Sequence, residues 1–338
     1  MKHVIVIGGG VAGLKCAAEL ARGGVKVTLL EKDERAGGKL LGWHRLFPTF
    51  TPASEVLEPL LGEIGSSDMI TLRTGCEAAG VTAQSVKLAS GEELACDAVV
   101  IATGFTLFDA KVKEEYGYGL YDNVVTSADL ERMFAEGEVK LHNGRRPERI
   151  AILHCVGSRD EKVCQRHCSK VCCVTGVKQA IELKRLFPQS EIFNFYMDLR
   201  MFGPGYEEMY REAQREYNIH FVRGRISEVS PMMNSRLQIK AEDTLTGRPL
   251  KIGVDLLVLM VGMKANDSNA VLAACVGGLQ MQPSGFMQPL DPFGGNVCSH
   301  ADGIFYAGAV TAPKNVCESL GDSAAAACAV LRRLSDKQ

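Results

Sequence analysis

Short runs of apolar, β-branched residues punctuate this chain, separated by stretches whose apolar positions recur at helical spacing. Val4–Ile7 and Val25–Leu30 are two such runs, and Leu14–Ala21 between them carries a helical pattern. Further on, Arg149–Leu153, Glu191–Tyr196 and Val254–Met260 read as strands and Gly176–Leu186 reads as a helix. A long Ala-rich stretch starting near Val316–Ser319 and running to Leu334 reads as a final helix. Strands that alternate with helices predict an α/β fold built on parallel sheets.

The turn after the first strand is the most informative local feature. Gly8, Gly10 and Gly13 have the spacing G-x-G-x-x-G, and the second strand ends on Glu31. This strand–turn–helix–strand–acid order is the fingerprint of a dinucleotide site. Gly8 permits the tight turn, Gly10 lets a pyrophosphate approach the backbone, and Gly13 lets the helix pack close to the sheet. Helix N–H groups face the phosphates, and Glu31 is placed to accept from ribose hydroxyls. The residues beyond Glu31 resemble those of flavoproteins that bind two dinucleotides, and that resemblance selects FAD. Gly37-Gly38 comes soon after Glu31, and Gly38 and Lys39 are assigned to the cofactor with it. Asp97–Gly104, with Thr103 and Gly104 at its end, resembles the family's strand-then-ATG motif. Asp302–Gly308 resembles the strand that meets the flavin, with Gly308 at its end. An Asp commonly follows that glycine in the family; Ala309 stands here and leaves the ribityl contact unassigned.

A second half-fold starts at Arg149, and its glycine turn is missing. The positions equivalent to Gly8, Gly10 and Gly13 are His154, Val156 and Arg159. Side chains there obstruct a pyrophosphate, so this unit is expected to have lost NAD(P)H. Five cysteines stand in its place within nineteen residues: Cys155, Cys164, Cys168, Cys172 and Cys173. Cys164, Cys168 and Cys172 have a spacing that a helix would place on one face. Adjacent Cys172 and Cys173 need a turn or a helix start to converge. Four converging thiolates suit an iron–sulfur cluster or zinc; the competing reading is a buried helix that uses cysteine as a small apolar residue. No C-x-x-C occurs, which opposes a thioredoxin-like redox disulfide.

Composition narrows the class. The chain has 338 residues, room for two domains, a formal net charge of −2 and no basic excess, which excludes a nucleic-acid surface. No stretch approaches the roughly 18 uninterrupted apolar residues of a membrane span. No signal segment is apparent, and twelve cysteines in such a chain point to metal or redox chemistry, so a cytoplasmic location is expected.

The segment "CVGSRDEKVCQRHCSKVCC", with "DLRMFGPGYEEMYREAQ" (Asp198–Gln214), "VGM" and "AGAVTAPKNVCES", resembles the A subunits of heterodisulfide reductases over nearly the whole chain. The resemblance implies two Rossmann-like three-layer domains in the manner of the disulfide-reductase flavoproteins. The FAD-binding domain would span 1–112 and 263–338, and the inserted nucleotide-binding-like domain 113–262. It implies FAD and one [4Fe–4S] cluster on Cys155, Cys168, Cys172 and Cys173, with Cys164 outside the set. It also implies electron transfer to B- and C-like subunits, with a homodimer and a sulfur-carrier protein as further partner candidates. By the same analogy Lys178 would reach flavin N5, while Lys314 would either meet the flavin or cap a loop. Two departures stand out. The ferredoxin-type cysteine repeat is absent, and the stretch after Gly38 has no cysteine. This short form is most similar to the corresponding subunits of sulfur-oxidising prokaryotes, with quinone-interacting oxidoreductase subunits second. The alternatives are a stand-alone pyridine-nucleotide-dependent disulfide oxidoreductase and a flavoprotein with a structural zinc site.

Overall fold

A computed structural model describes residues 1–276 and 278–336. The chain forms two compact units. The first comprises residues 1–41, 53–106 and the chain from 264 onward; the second comprises 42–52 and 107–263. The main crossing into the second unit thus lies at 106/107, where 112/113 was expected, and residues 277, 337 and 338 of the expected range 263–338 lie outside the described residues. The sequence gives no sign of the excursion at 42–52. Its short strands Arg45–Leu46 and Thr51–Pro52 pair with each other, and polar bonds from His44 and the Arg45 carbonyl tie it to helices of the second unit.

In the first unit, β1 (His3–Ile7), α1 (Val11–Arg22) and β2 (Lys26–Leu30) form the predicted βαβ start. The parallel sheet has the order Ile304–Tyr306, Ala98–Ile101, β1, β2, Ile70–Arg73. Strands buried on both faces must be apolar at every position, and Val4, Ile5 and Val6 are fully buried. Ile5 and Ile7 pack with Val81, Val86 and Leu88 of a three-stranded antiparallel sheet. Helix α1 packs against the last helix, Val316–Asp336.

The second unit repeats this plan with helices α2 (Ser127–Ala135) and α3 (Cys172–Leu186) and strands β3 (Arg149–Val156), β4 (Glu191–Tyr196) and β5 (Leu256–Val261). Its parallel sheet has the order Val124–Thr126, β5, β3, β4, His220–Arg223. Ile150 and Ile152 face the helices, with Val174, Val177 and Ile181. Ala151 and Leu153 face the other way, toward Ile226, Val229, Leu237 and Ile239 of an antiparallel sheet. Each unit therefore has three layers, and the expected fold class holds.

One expectation fails here. The residues from 164 to 171 are not helical, and α3 starts only at Cys172. Cys164 instead ends a 3-10 turn in a left-handed conformation (φ 57°) and is exposed. The i, i+4, i+8 spacing of Cys164, Cys168 and Cys172 thus never becomes a helix face. The local cause is turn chemistry. The Asp160 side chain accepts from Lys162 N–H at 3.0 Å, and Asp160 and Gln165 bridge as a tight hairpin.

The glycine turn yields a test. A Cβ on Gly13 would lie 1.8 Å from the Gly8 carbonyl oxygen, whereas one on Gly10 meets nothing nearer than 3.9 Å. Gly13→Ala is expected to destabilise the fold by about 2–3 kcal/mol, read as a lowered Tm of the cofactor-free protein. Gly10→Ala should leave that Tm close to wild type.

Candidate functional site

The first site lies at the carboxyl ends of the parallel strands of the first unit, where open α/β sheets bind ligands. Gly8 has φ 110°, and a Cβ there would stand 2.4 Å from the Ala102 carbonyl oxygen. Thr103 follows directly; its hydroxyl donates to Asn269 Oδ1 at 3.1 Å and its carbonyl accepts from Asn266 Nδ2 at 2.8 Å. Gly104 has φ 67° with open space around it. Gly38 packs on Gly10: its Cβ would meet Gly10 Cα at 2.9 Å. Gly308 (φ 71°) packs on Ala12 at the start of α1. Glu31 is buried; one oxygen accepts Gly9 N–H at 2.8 Å and the other Asp33 N–H at 2.9 Å. A carboxylate offers about four lone-pair sites, so acceptor capacity remains for ribose hydroxyls. The Lys39 ammonium lies 6.0 Å from the Phe105 ring centroid. Lys314 Nζ donates to Gly308 O at 3.1 Å, to Thr311 Oγ1 at 2.7 Å and to Asp322. This Lys therefore braces the loop after Gly308. No side chain caps α1, whose start is free to receive an anion. A backbone cradle that a Cβ would fill, an uncapped helix start and a buried acid fit a dinucleotide.

Lys178 sits elsewhere, in the second unit, on α3. It is 1% exposed, and its Nζ contacts Glu131 of α2, Glu182 at 3.0 Å and the Arg45 carbonyl at 3.0 Å. His44 Nδ1 lies 3.1 Å from Glu182, and His44 N–H donates to Glu131 at 3.0 Å. Gln179 donates to Glu131 at 2.7 Å. These bonds explain why 42–52 belongs to this unit. Burial pushes the Glu182 carboxyl up; Lys178 works against that and Glu131 adds to it. Sequence reasoning misses Glu182, since a carboxylate four residues from a Lys usually marks a solvated face, and Glu131, which lies forty-seven residues away in the chain.

The cysteines form the third arrangement. β3 continues past Leu153, and its register with β5 shifts between Leu153 and Val156. Cys155, with φ 60°, sits in that bulge. Strict alternation would place it beside Leu153 on the antiparallel-sheet face; it instead joins Ile150 and Ile152 on the helix face, with Cys172 and Cys173. Cys155 Sγ is 3.8 Å from Cys172 Sγ, and Cys155, Cys172 and Cys173 are all buried. The pair at the start of α3 meets the requirement for adjacent cysteines to converge. Cys168 is half-buried in the preceding loop, where its Sγ accepts Lys170 N–H at 3.3 Å. The hydrogen bond with Cys172 lowers both Cys155 and Cys173, and Cys172 is pushed well up. Burial works against a charged His154 ring, but contact with Cys173 outweighs it and its pKa is raised.

In the sequence, His154 stands out only as a lost glycine. It is 2% exposed, and Nε2 lies 2.9 Å from Asn194 Oδ1. A Cβ on Gly176 would stand 2.7 Å from that nitrogen. The glycine that lets helix meet strand end is thus Gly176, and the assignment of Arg159 to the Gly13 role is corrected. The helix starts later than in the first unit, so spacing counted from the strand misses it. Among the described residues, no three His, Cys, Asp or Glu side chains close around one point as a metal-ion site. The donor set nevertheless fits a sulfur-ligated group. His154 Nδ1, Asn194 Nδ2 and Arg159 Nη1 are buried with no hydrogen-bond partner, and the His154 ring lies against Cys173. Leaving such groups unmet costs about 1–3 kcal/mol each; a cluster brings sulfides and thiolates that accept.

Residues 2–328 match the family Pyridine nucleotide-disulphide oxidoreductase. The chain belongs to that family. It is an oxidoreductase by that membership, as expected. It is 31% identical to the CoB–CoM heterodisulfide reductase iron-sulfur A subunit of Methanocaldococcus jannaschii, over 97% of this chain and 64% of the relative. It is 32% identical to the H2/formate:CoB-CoM heterodisulfide,ferredoxin reductase A subunit of Methanococcus maripaludis, over 100% of this chain and 65% of that one. The chain thus spans slightly under two thirds of the length of these relatives, and the resemblance to the heterodisulfide reductase A subunits holds. Thioredoxin reductase of T. acidophilum shares the fold, with a TM-score of 0.70, 18% identity and 99% of each chain covered. Lactococcus lactis thioredoxin reductase does so at 0.68 and 19%, over 99% of this chain and 100% of that one. Among the described residues, no helix is long and apolar enough to cross a membrane.

The Lys178 cluster makes a prediction with a sign. Lys178→Met leaves two buried carboxylates without their cation, and the expected loss is about 3–5 kcal/mol at pH 8. A carboxyl whose folded pKa is raised favours the folded state below its unfolded pKa, and that contribution disappears as pH rises through the folded value. Glu182 is already raised, and removing the cation raises it further. The stability gap between variant and wild type should therefore narrow from pH 8 to pH 5, as measured by denaturant midpoints at the two values.

Proposed function

We propose that this chain is an electron-transferring subunit that carries FAD in its first unit and one [4Fe–4S] cluster in its second, within a heterodisulfide-reductase-like complex. The observation that carries the reading is the group of thiols and unmet N–H donors at the strand end where a second dinucleotide turn is missing. Gly8, Gly10, Gly13, Glu31, Gly38, Lys39, Thr103, Gly104, Gly308 and Lys314 would serve the flavin nucleotide. Cys155, Cys168, Cys172 and Cys173 would hold the cluster. FAD supplies electron-pair and single-electron chemistry when bound, and the chain tunes it through burial, charge and hydrogen bonds. Lys178 remains the residue proposed to act at flavin N5, with Glu131 and Glu182 holding its ammonium in place. The relatives are named as A subunits, which supports further subunits as partners; B- and C-like subunits are the proposed ones, with a second copy of the chain and a sulfur carrier as further candidates. The cytoplasm and sulfur-compound oxidation complete the proposal, the latter supported by the cysteine-free stretch after Gly38.

A second reading has one observation in its favour. Sulfurs around a single zinc at about 2.3 Å stand about 3.8 Å apart, and Cys155 and Cys172 have that separation. Metal and sulfide analysis separates the two: iron with acid-labile sulfide supports the cluster, and stoichiometric zinc without sulfide replaces it.

Three measurements test the assignment. Glu31→Ala should lower FAD retention after gel filtration, since lost ribose hydrogen bonds cost on the order of 1–3 kcal/mol. Unchanged flavin content would remove Glu31 from the ribose. Single Cys→Ala changes at Cys155, Cys168, Cys172 and Cys173 should each lower iron content in anaerobically reconstituted protein, whereas Cys164→Ala should not. Loss of iron in Cys164→Ala with Cys155→Ala silent would exchange the two. Micromolar NADH should leave the flavin oxidised under anaerobic conditions, and rapid bleaching would restore a pyridine-nucleotide site.

A further inference from the structure

We propose that His154, Asn194 and Arg159 form a built donor shell around the thiolate-held group and raise its reduction potential through N–H bonds to its sulfurs. The inference rests on the iron–sulfur reading and goes beyond it, because it assigns residues that hold no metal. The geometry begins with the bulge. His154 shares the helix face of β3 with Ile150 and Ile152 by alternation, and the bulge brings Cys155 onto the same face. Two consecutive side chains, one donor and one thiol, thus point toward the start of α3, where Cys173 makes contact with the His154 ring. Asn194, on the adjacent strand β4, is fully buried and bonds the ring at Nε2.

The pair has a surplus of donors that no choice of tautomer removes. If His154 Nε2 carries the proton, it donates to Asn194 Oδ1 and both Asn194 Nδ2 hydrogens are left over. If the amide is turned and Nδ2 donates to Nε2, the proton sits on His154 Nδ1, which has no acceptor either. A buried donor pair of this kind calls for an acceptor on the thiol side, the Cys173 sulfur that touches the ring or a sulfur of the group it would hold. Arg159 also keeps an unmet donor. Its Nη2 donates to Asp198 at 2.8 Å, while Nη1 is buried with no acceptor. Its backbone lies in the same loop, two residues beyond Gly157. One sulfur already shows such a bond, from Lys170 N–H to Cys168. Donors to sulfur stabilise the more negative, reduced state of a cluster and therefore raise its potential.

The test uses the full chain, reconstituted anaerobically with iron and sulfide. Iron and sulfide content are measured first, and a redox titration followed by electron paramagnetic resonance second. His154→Met, similar in bulk and without a donor, should lower the one-electron equilibrium constant of reduction about tenfold, or about 59 mV. His154→Gln keeps an N–H and should recover part of that shift. Asn194→Leu removes donors without touching a thiol and should shift the potential in the same direction. Wild-type potentials in His154→Met and Asn194→Leu, at full iron and sulfide content, overturn the donor shell and leave the cluster reading standing. A wild-type chain that takes up no iron and sulfide overturns the cluster reading, and the donor shell with it.

Discussion

The bulge at His154 and Cys155 is the constraint from which the second site follows. A regular strand sends successive side chains to opposite faces, so a thiol at 155 would point into the antiparallel-sheet core with Leu153. One extra residue against β5, accommodated by a left-handed Cys155, turns it toward α3 instead. A non-glycine residue at positive φ costs of order 1–3 kcal/mol. It persists because the surroundings over-determine it. Phe108 lies where a Cβ on Gly157 would go, Ser158 and Ser169 bond each other, and Ser169 accepts Met263 N–H at 2.7 Å. The loop is thereby clamped to the sheet at both ends, and Cys155 meets Cys172 and Cys173 without a disulfide or a long flexible reach.

The residues that announced the fold did so because their periodicity and turn chemistry agreed. β1, α1 and β2 carry apolar runs, a glycine turn and an acid in one register, and Glu191–Tyr196 emerges as a strand over the range read from the sequence. The cysteine segment misled for the opposite reason. Its four-residue spacing imitates a helix face, but Asp160 bonds its own downstream backbone and stops a helix from starting. The Lys178 cluster was half legible. Lys178 could be singled out, yet its partners come from α2 and from residues 42–52, and no local pattern links a carboxylate at 131 to a lysine forty-seven residues on. Gly176 and Asn194 were invisible for the same reason: each matters only through His154, which looked like a plain loss of glycine.

Both units place their candidate chemistry at the carboxyl ends of parallel strands, but on the proposed reading they would hold an anionic group differently. The first unit uses backbone N–H groups, which requires that no Cβ intervene; Gly8, Gly13 and Gly38 each stand where a side chain would meet backbone atoms within 3 Å. Such a cradle binds by many weak, directional contacts and leaves no room for a side chain at these three positions. The second unit gives up the cradle. His154 fills the position of Gly8, and after the bulge fifteen residues, 157–171, replace the tight turn before the helix begins.

Thiolate coordination removes the need for bare backbone, because each sulfur makes a strong bond of its own and can be brought in from a strand, a loop or a helix start. It introduces a different need. A sulfur-held group is itself anionic and buried, so its surroundings must supply donors or positive charge. Backbone N–H groups are largely committed to the sheet and helix at this depth, which leaves side chains. His154, Asn194 and Arg159 are such side chains, and each keeps an N–H or its acceptor-seeking nitrogen unpaired while otherwise anchored. Close helix approach still demands a glycine, and it is found on the helix as Gly176 rather than in the turn. The imidazole lies against this glycine, at the strand end where the first unit has Gly8.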